Sequence, residues 1–305
     1  MKILVLDDNA QEYGDYLDHL PDDITYARTL SAAADQYDVM LAQPDLAASF
    51  LVSGGRVGWI QSTWAGIKPL ADLPLDNRCV ITGVKDIFGA QMAEYVFSYI
   101  LQEIRSPERY RQQQSEKSWR PILPGTLSRR RMTIIGTGSI GQHIAHVAQA
   151  FGIEVFGVSK SGKSVPGFAA VVPLSELNTV VSNADYVVMV LPDTPSTENA
   201  LNAEVFAAME SKPLLFNVGR ANSIAQEALL EALHEGTVRG AILDVFDTEP
   251  LPPTHPFWDA PNVTITPHVA AVSYPSEIAQ IFLENLERYR SGGSLNYVMD
   301  LKRGY

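Results

Sequence analysis

Short apolar runs alternate along the chain with longer segments whose apolar positions recur at helical spacing, the pattern of parallel sheets wound with crossover helices. In the first half, strands are predicted at residues 2–7, 39–43, 57–62 and 79–83, with a helical stretch over 10–20 between the first two. The second half adds runs at 132–136, 154–159, 186–191, 213–218, 240–245 and 263–266. Six such runs are the number in a complete doubly wound sheet. Residues 89–104 predict a long, largely apolar helix, and 277–290 a second helix after the last strand. Between the two sets lies 105–131, polar and basic, punctuated by Pro107, Pro121 and Pro124. Two α/β domains follow: 1–100 joined by 275–305, and 101–274.

Composition narrows the class. At 305 residues the chain is too long for one ordinary core. Hydrophobic residues make up 46% and charged ones 19%, so it reads as a globular protein. No run reaches the roughly 20 apolar residues of a membrane helix. The opening segment, 1–8, reads as a buried first strand rather than a secretory leader. The single cysteine, Cys79, excludes an internal disulfide and fits a reducing compartment, so a cytoplasmic location is expected. A net charge of −12 argues against a nucleic-acid partner. Arg129, Arg130 and Arg131 abut a predicted strand, which suits a solvated sheet edge better than a nucleic-acid patch.

The first chemistry-bearing motif is Ile135-Gly136-Thr137-Gly138-Ser139-Ile140-Gly141, a strand running into G-x-G-x-x-G and then a helix over 142–151. Gly136 permits the turn, Gly138 lets backbone approach a pyrophosphate, and Gly141 lets helix and strand pack closely. The amides of Ser139 and Ile140 open the helix, where its dipole favours phosphate. About 20 residues on, an acid would hold the ribose 2′-hydroxyl of NAD, and a cation would accept the 2′-phosphate of NADP. That position is Ser159, followed by Lys160, Ser161 and Lys163. NADP(H) is therefore preferred and NAD(H) remains possible; a solvent-facing loop lysine is the other reading of Lys160.

Three polar residues follow the last predicted strands, at the end where open α/β sheets bind ligands: Arg220, Glu249 and His268. Each alone is ordinary. Together they supply what carbonyl reduction needs: a guanidinium for a carboxylate and a carbonyl, an imidazole to transfer a proton, and a carboxylate that favours the protonated imidazole.

With these residues in place the chain resembles the D-isomer-specific 2-hydroxyacid dehydrogenase family over essentially its whole length. The glycine loop, Leu191-Pro192-Asp193-Thr194-Pro195-Ser196-Thr197, Asn217-Val218-Gly219-Arg220, Leu243-Asp244-Val245-Phe246 with Glu249-Pro250, and Thr266-Pro267-His268 match in order. The resemblance implies two doubly wound parallel-sheet domains, a flavodoxin-like substrate domain and a Rossmann dinucleotide-binding domain. It implies catalytic positions for Arg220, Glu249 and His268, and cofactor contacts from Leu191, Pro192, Thr197, Val218 and Gly219. Asp244 would bond the nicotinamide carboxamide, or else cap its strand end. Within the family the chain looks most like glyoxylate/hydroxypyruvate reductases, on the strength of Arg303-Gly304-Tyr305 and the segment 59–66. In that segment Trp64, Ala65 and Gly66 would form the substrate loop, whereas Trp59 reads as core. Lys68 stands where the family often has Asp, which leaves its part in substrate choice open. A homodimer is implied, with the 105–125 arm and its Trp119 reaching a neighbour. No regulatory domain fits the length, unlike the longer phosphoglycerate dehydrogenases. The implied reaction is reduction of a small 2-oxo acid to the D-2-hydroxy acid without a metal. A bulkier 2-oxo acid, or a dinucleotide-sensing binding protein, is the alternative.

Overall fold

The computed structural model describes residues 1–29, 36–73 and 79–300. The chain divides into two compact units, Met1–Ile87 with Ser273–Tyr305, and Phe88–Val272.

In the first unit five strands, β1 (Lys2–Leu6), β2 (Asp23–Ala27), β3 (Gln36–Ala42), β4 (Arg56–Ser62) and β5 (Val80–Thr82), form a parallel sheet in the order β2-β1-β3-β4-β5. This is the flavodoxin-like order. Strand β2 has no counterpart in the sequence reading. Its segment, DITYA, lies at the sheet edge, partly exposed throughout, so no apolar run announces it. The expected helix over 10–20 is a 3-10 turn, Ala10–Tyr13, and a short helix, Gly14–Leu17. Leu4, Leu6, Met40, Phe50, Ile60 and Leu70 anchor one core face. On Pro275–Arg290 the ring of Phe282 stacks on Trp59 at 5.4 Å, and Trp59 is fully buried. Its indole N–H donates to Thr82 Oγ1 at 2.8 Å.

In the second unit seven strands, β6 (Arg131–Ile135), β7 (Glu154–Ser159), β8 (Ala170–Pro173), β9 (Tyr186–Met189), β10 (Leu214–Asn217), β11 (Gly240–Leu243) and β12 (Val263–Ile265), form a parallel sheet. The order is β12-β11-β10-β9-β6-β7-β8, which is Rossmann winding with a seventh strand. The sequence reading missed β8, an edge strand of four residues ending in Pro173, too short to signal itself. The winding reverses at β6, whose neighbours are β7 and β9, so ligands are expected beyond the carboxyl ends there.

Helix Gly89–Arg105 belongs wholly to this unit, which corrects a domain boundary drawn at residue 100. Its buried Ala93, Val96, Phe97 and Ile100 join Ile144, Ala145 and Ala148 of helix Ser139–Ala150 in one core. A boundary at 100 would part that whole stripe from the helix it packs against. The 105–131 connector carries an unexpected helix, Pro107–Ser115, with no buried residue. Arg130 pairs with Asp185 at 2.5 Å and Arg131 with Glu154 at 2.9 Å. They stand at the start of β6, an inner strand between β9 and β7, and not at the sheet edge the sequence suggested. Among the described residues no helix is long and apolar enough to cross a membrane.

Candidate active site

The glycine loop leaves β6 at Ile135. Gly136 has φ +115°, and a Cβ there would meet the Val190 carbonyl oxygen at 2.8 Å. A Cβ on Gly141 would collide with the Gly136 carbonyl oxygen. Gly138 is different in kind, since a Cβ built on it meets nothing within 4 Å. It caps helix Ser139–Ala150, whose first amides have no partner within the helix. Open space over bare backbone at a helix N-terminus fits a dinucleotide pyrophosphate, with Ser139 and Ile140 as the holding amides.

At the end of β7, Ser159 Oγ accepts from the Gly162 amide at 3.1 Å and keeps its own proton for donation. Lys160 is exposed beside it, and 159–163 carries no carboxylate. These residues suit a 2′-phosphate better than a bare ribose.

Several expected cofactor contacts have structural duties. The Thr197 hydroxyl lies 2.7 Å from the Pro192 carbonyl and accepts from the Thr194 amide at 3.1 Å, so it closes its own loop. Val218 is buried in the core. Gly219 is required because a Cβ would sit 2.8 Å from the Leu191 backbone nitrogen and oxygen, so it brings Leu191 and the 217–220 turn together. Asp244 is 1% exposed; its Oδ1 accepts from Thr266 Oγ1 at 2.5 Å and the Val269 amide at 2.9 Å. Its Oδ2 accepts from the Ala270 amide at 2.9 Å. These bonds hold the turn that carries His268, which is the structural duty of Asp244.

Arg220 follows β10, and its backbone is fixed from two sides. Its carbonyl accepts from Asn217 Nδ2 at 3.1 Å and Ser223 Oγ at 2.6 Å. The guanidinium donates to the Gly219 carbonyl at 2.7 Å. Burial pushes the guanidinium below its ordinary value, opposed by the charges of Asp193 and Glu249. Glu249 thus faces Arg220 electrostatically while its Oε2 meets His268 Nδ1 at 2.9 Å. Its other oxygen accepts from the Phe246 amide at 2.9 Å, which fixes the carboxylate. An ionised carboxylate only accepts, so Nδ1 is the donor and Nε2 remains for a ligand. His268 sits at φ +55°, and its side chain is 49% exposed. Arg220, Glu249 and His268 therefore meet through Glu249.

The first unit carries the other candidate loop. Ser62 Oγ accepts from the Trp64 amide at 3.1 Å and donates to the Trp64 carbonyl at 2.8 Å. Thr63 Oγ1 donates to the buried Asp7 at 2.9 Å. Trp64 and Ala65 are exposed and Gly66 is half-buried, so Trp64 is not a core residue. Lys68 opens the short helix Lys68–Ala71. Arg303, Gly304 and Tyr305 lie outside the described residues. Asp193, Asn217 and Ser223 were not assigned roles from sequence; the first two stand inside quoted motifs, and only their bonds reveal what they do. Among the described residues no cluster could hold a metal ion.

Residues 97–270 match the family described as D-isomer specific 2-hydroxyacid dehydrogenase, NAD binding domain. The chain belongs to that family. This 2-hydroxyacid dehydrogenase is an NAD(P)-dependent oxidoreductase. It is similar to the glyoxylate/hydroxypyruvate reductase A of Yersinia enterocolitica, 34% identical over 215 residues, which are 70% of this chain and 69% of the relative. A D-isomer specific 2-hydroxyacid dehydrogenase family protein from Aeromonas salmonicida superposes with a TM-score of 0.92 at 39% identity, covering 98% of this chain and 99% of that one. An NADPH-dependent glyoxylate/hydroxypyruvate reductase from Sinorhizobium meliloti, in complex with NADP and sulfate, gives 0.84 at 28% identity over 100% and 99%.

Proposed function

We propose that the protein reduces glyoxylate or hydroxypyruvate to the D-2-hydroxy acid, with NADPH preferred over NADH. The observation that carries this is the 2.9 Å pairing of His268 Nδ1 with Glu249, whose charge also acts on Arg220. A dinucleotide held by the glycine loop, Ser159 and Lys160 would supply a hydride to the carbonyl carbon. Arg220 offers a planar fork that orients the 2-oxo acid and draws charge onto the carbonyl oxygen. His268 presents Nε2 as the donor of the proton that oxygen takes up. For that transfer the ring acts as the imidazolium, and Glu249 accepts from Nδ1–H and fixes its orientation. The Trp64–Gly66 loop is assigned to the substrate on the family resemblance.

The choice of substrate is supported by the names of the relatives from Y. enterocolitica and S. meliloti, and the choice of NADPH by Ser159, Lys160 and the latter's bound NADP. A homodimer is proposed through the 105–125 arm, where Trp119 and Leu123 are 98% and 94% exposed. A monomer by analytical ultracentrifugation would remove it. The single cysteine supports a cytoplasmic location.

Assaying small and bulky 2-oxo acids with NADPH and with NADH tests the reading. The largest kcat/KM is expected for glyoxylate or hydroxypyruvate with NADPH. Lys160→Ala should weaken NADPH binding, less so at high salt, and leave NADH alone. A bulky 2-oxo acid as best substrate, or equal use of the two dinucleotides, would sink the corresponding half.

A further inference from the structure

Residues 266–272 carry His268 outside any strand or helix, so the backbone of this segment has no repeating ladder to hold it. Five of its amides find separate partners. Thr266 N donates to the Leu243 carbonyl at 3.0 Å and His268 N to the Asp244 carbonyl at 2.9 Å. The Asp244 carboxylate takes the amides of Val269 and Ala270.

Both ends of the segment are gripped by one face of helix Gly89–Arg105. Near its start, Gln91 Nε2 donates to the Val272 carbonyl at 3.0 Å and Gln91 Oε1 accepts from the Val272 amide at 2.9 Å. One turn later, the Tyr95 hydroxyl lies 2.6 Å from Thr266 Oγ1. The direction of that bond follows from its neighbour. Thr266 Oγ1 is 2.5 Å from Asp244 Oδ1, an acceptor only, so the threonine proton goes to Asp244 and Tyr95 donates. Burial raises the phenol's ionisation well above its ordinary value, which keeps the donor proton in place. Positions 91 and 95 are four apart, hence on the same helix face.

We infer that Gln91 and Tyr95 are positioning residues for His268: they clamp the two ends of its loop and so fix the direction in which the imidazole presents its proton. The inference rests on His268 being the proton donor. Neither side chain is placed against the reacting atoms, so both act through the loop. Loss of either grip should misplace the imidazole and leave the glycine loop untouched.

The test uses the full-length protein carrying Tyr95→Phe or Gln91→Ala, each alone and combined with His268→Ala. Tyr95→Phe removes one oxygen and keeps the ring on Tyr99, whose centroid is 5.1 Å away, so the fold survives. The expected result is a kcat for glyoxylate lowered roughly 10- to 100-fold, the scale of a misplacement on the order of 1 Å. NADPH affinity should be unchanged, and the second substitution should add nothing in the His268→Ala background. Imidazole NMR of the apo chain gives a readout free of catalysis: of the six histidines, His268 should shift. A wild-type kcat in Tyr95→Phe, an equal loss in both backgrounds, or a parallel loss of NADPH binding would each overturn the clamp. If His268→Ala itself kept the wild-type rate, the proton-donor assignment would fall instead.

Discussion

Two glycines three residues apart make opposite demands on a methyl group, and that contrast tests where the dinucleotide lies. Gly138 has φ −72° and ψ −169°, an extended conformation open to any L-residue, and an added Cβ there touches nothing within 4 Å. Gly138→Ala should therefore fold without strain. By restricting the unfolded chain it should even stabilise by about 0.4–1 kcal/mol. The same methyl would stand where the pyrophosphate is expected to approach the backbone. Forcing a methyl into a close-packed contact costs about 1–3 kcal/mol, which corresponds to roughly 5- to 150-fold in the dissociation constant of NADPH. Gly141→Ala should do the reverse, since its Cβ collides with the backbone carbonyl of Gly136 and strand and helix must part. Thermal unfolding and fluorescence titration with NADPH separate the two: Gly138→Ala keeps its Tm and loses affinity, and Gly141→Ala loses Tm first. Wild-type NADPH affinity in Gly138→Ala would show that the phosphates do not lie over this glycine.

Arg220→Lys keeps the positive charge and loses the fork, so kcat/KM for glyoxylate should fall by about 1.5–3 kcal/mol, or roughly 10- to 150-fold, with NADPH binding retained. Near-normal kinetics would take Arg220 out of the site. Burial raises the carboxyl of Asp7 above its ordinary 3.8, so the native state holds this proton more tightly than the unfolded chain does. Its contribution to stability therefore falls as pH climbs from that ordinary value through the raised one. Asp7→Asn should remove the fall, and its Tm relative to wild type should rise across that window; a pH-independent difference would refute the assignment.

The sequence announced those features that repeat or sit next to one another. Strands β6, β9, β10 and β11 carry apolar runs because both faces of their sheet are covered, and the glycine loop is contiguous. Edge strands β2 and β8 were silent, because a half-exposed strand needs no apolar run. The proposed catalytic residues drew attention in the sequence because Arg220, Glu249 and His268 each follow a strand end, and the winding of the sheet brings strand ends together.

What holds those residues in place was hidden for a different physical reason. Gln91 reaches Val272 across 181 residues and Tyr95 reaches Thr266 across 171, and neither is unusual for a partly exposed helix. Asp244 follows a strand at the binding end, which sequence reads as a ligand contact; its duty toward an irregular loop, whose amides a buried carboxylate with two acceptor oxygens satisfies, shows only in its bonds. The same logic applies to Thr197 and Gly219: a loop that must present backbone to a ligand first has to be closed and packed by its own residues. A motif in this protein thus mixes groups proposed to meet the reactants with groups that hold the loops closed. Spacing identifies the mixture, and hydrogen-bond partners reveal the holding groups within it.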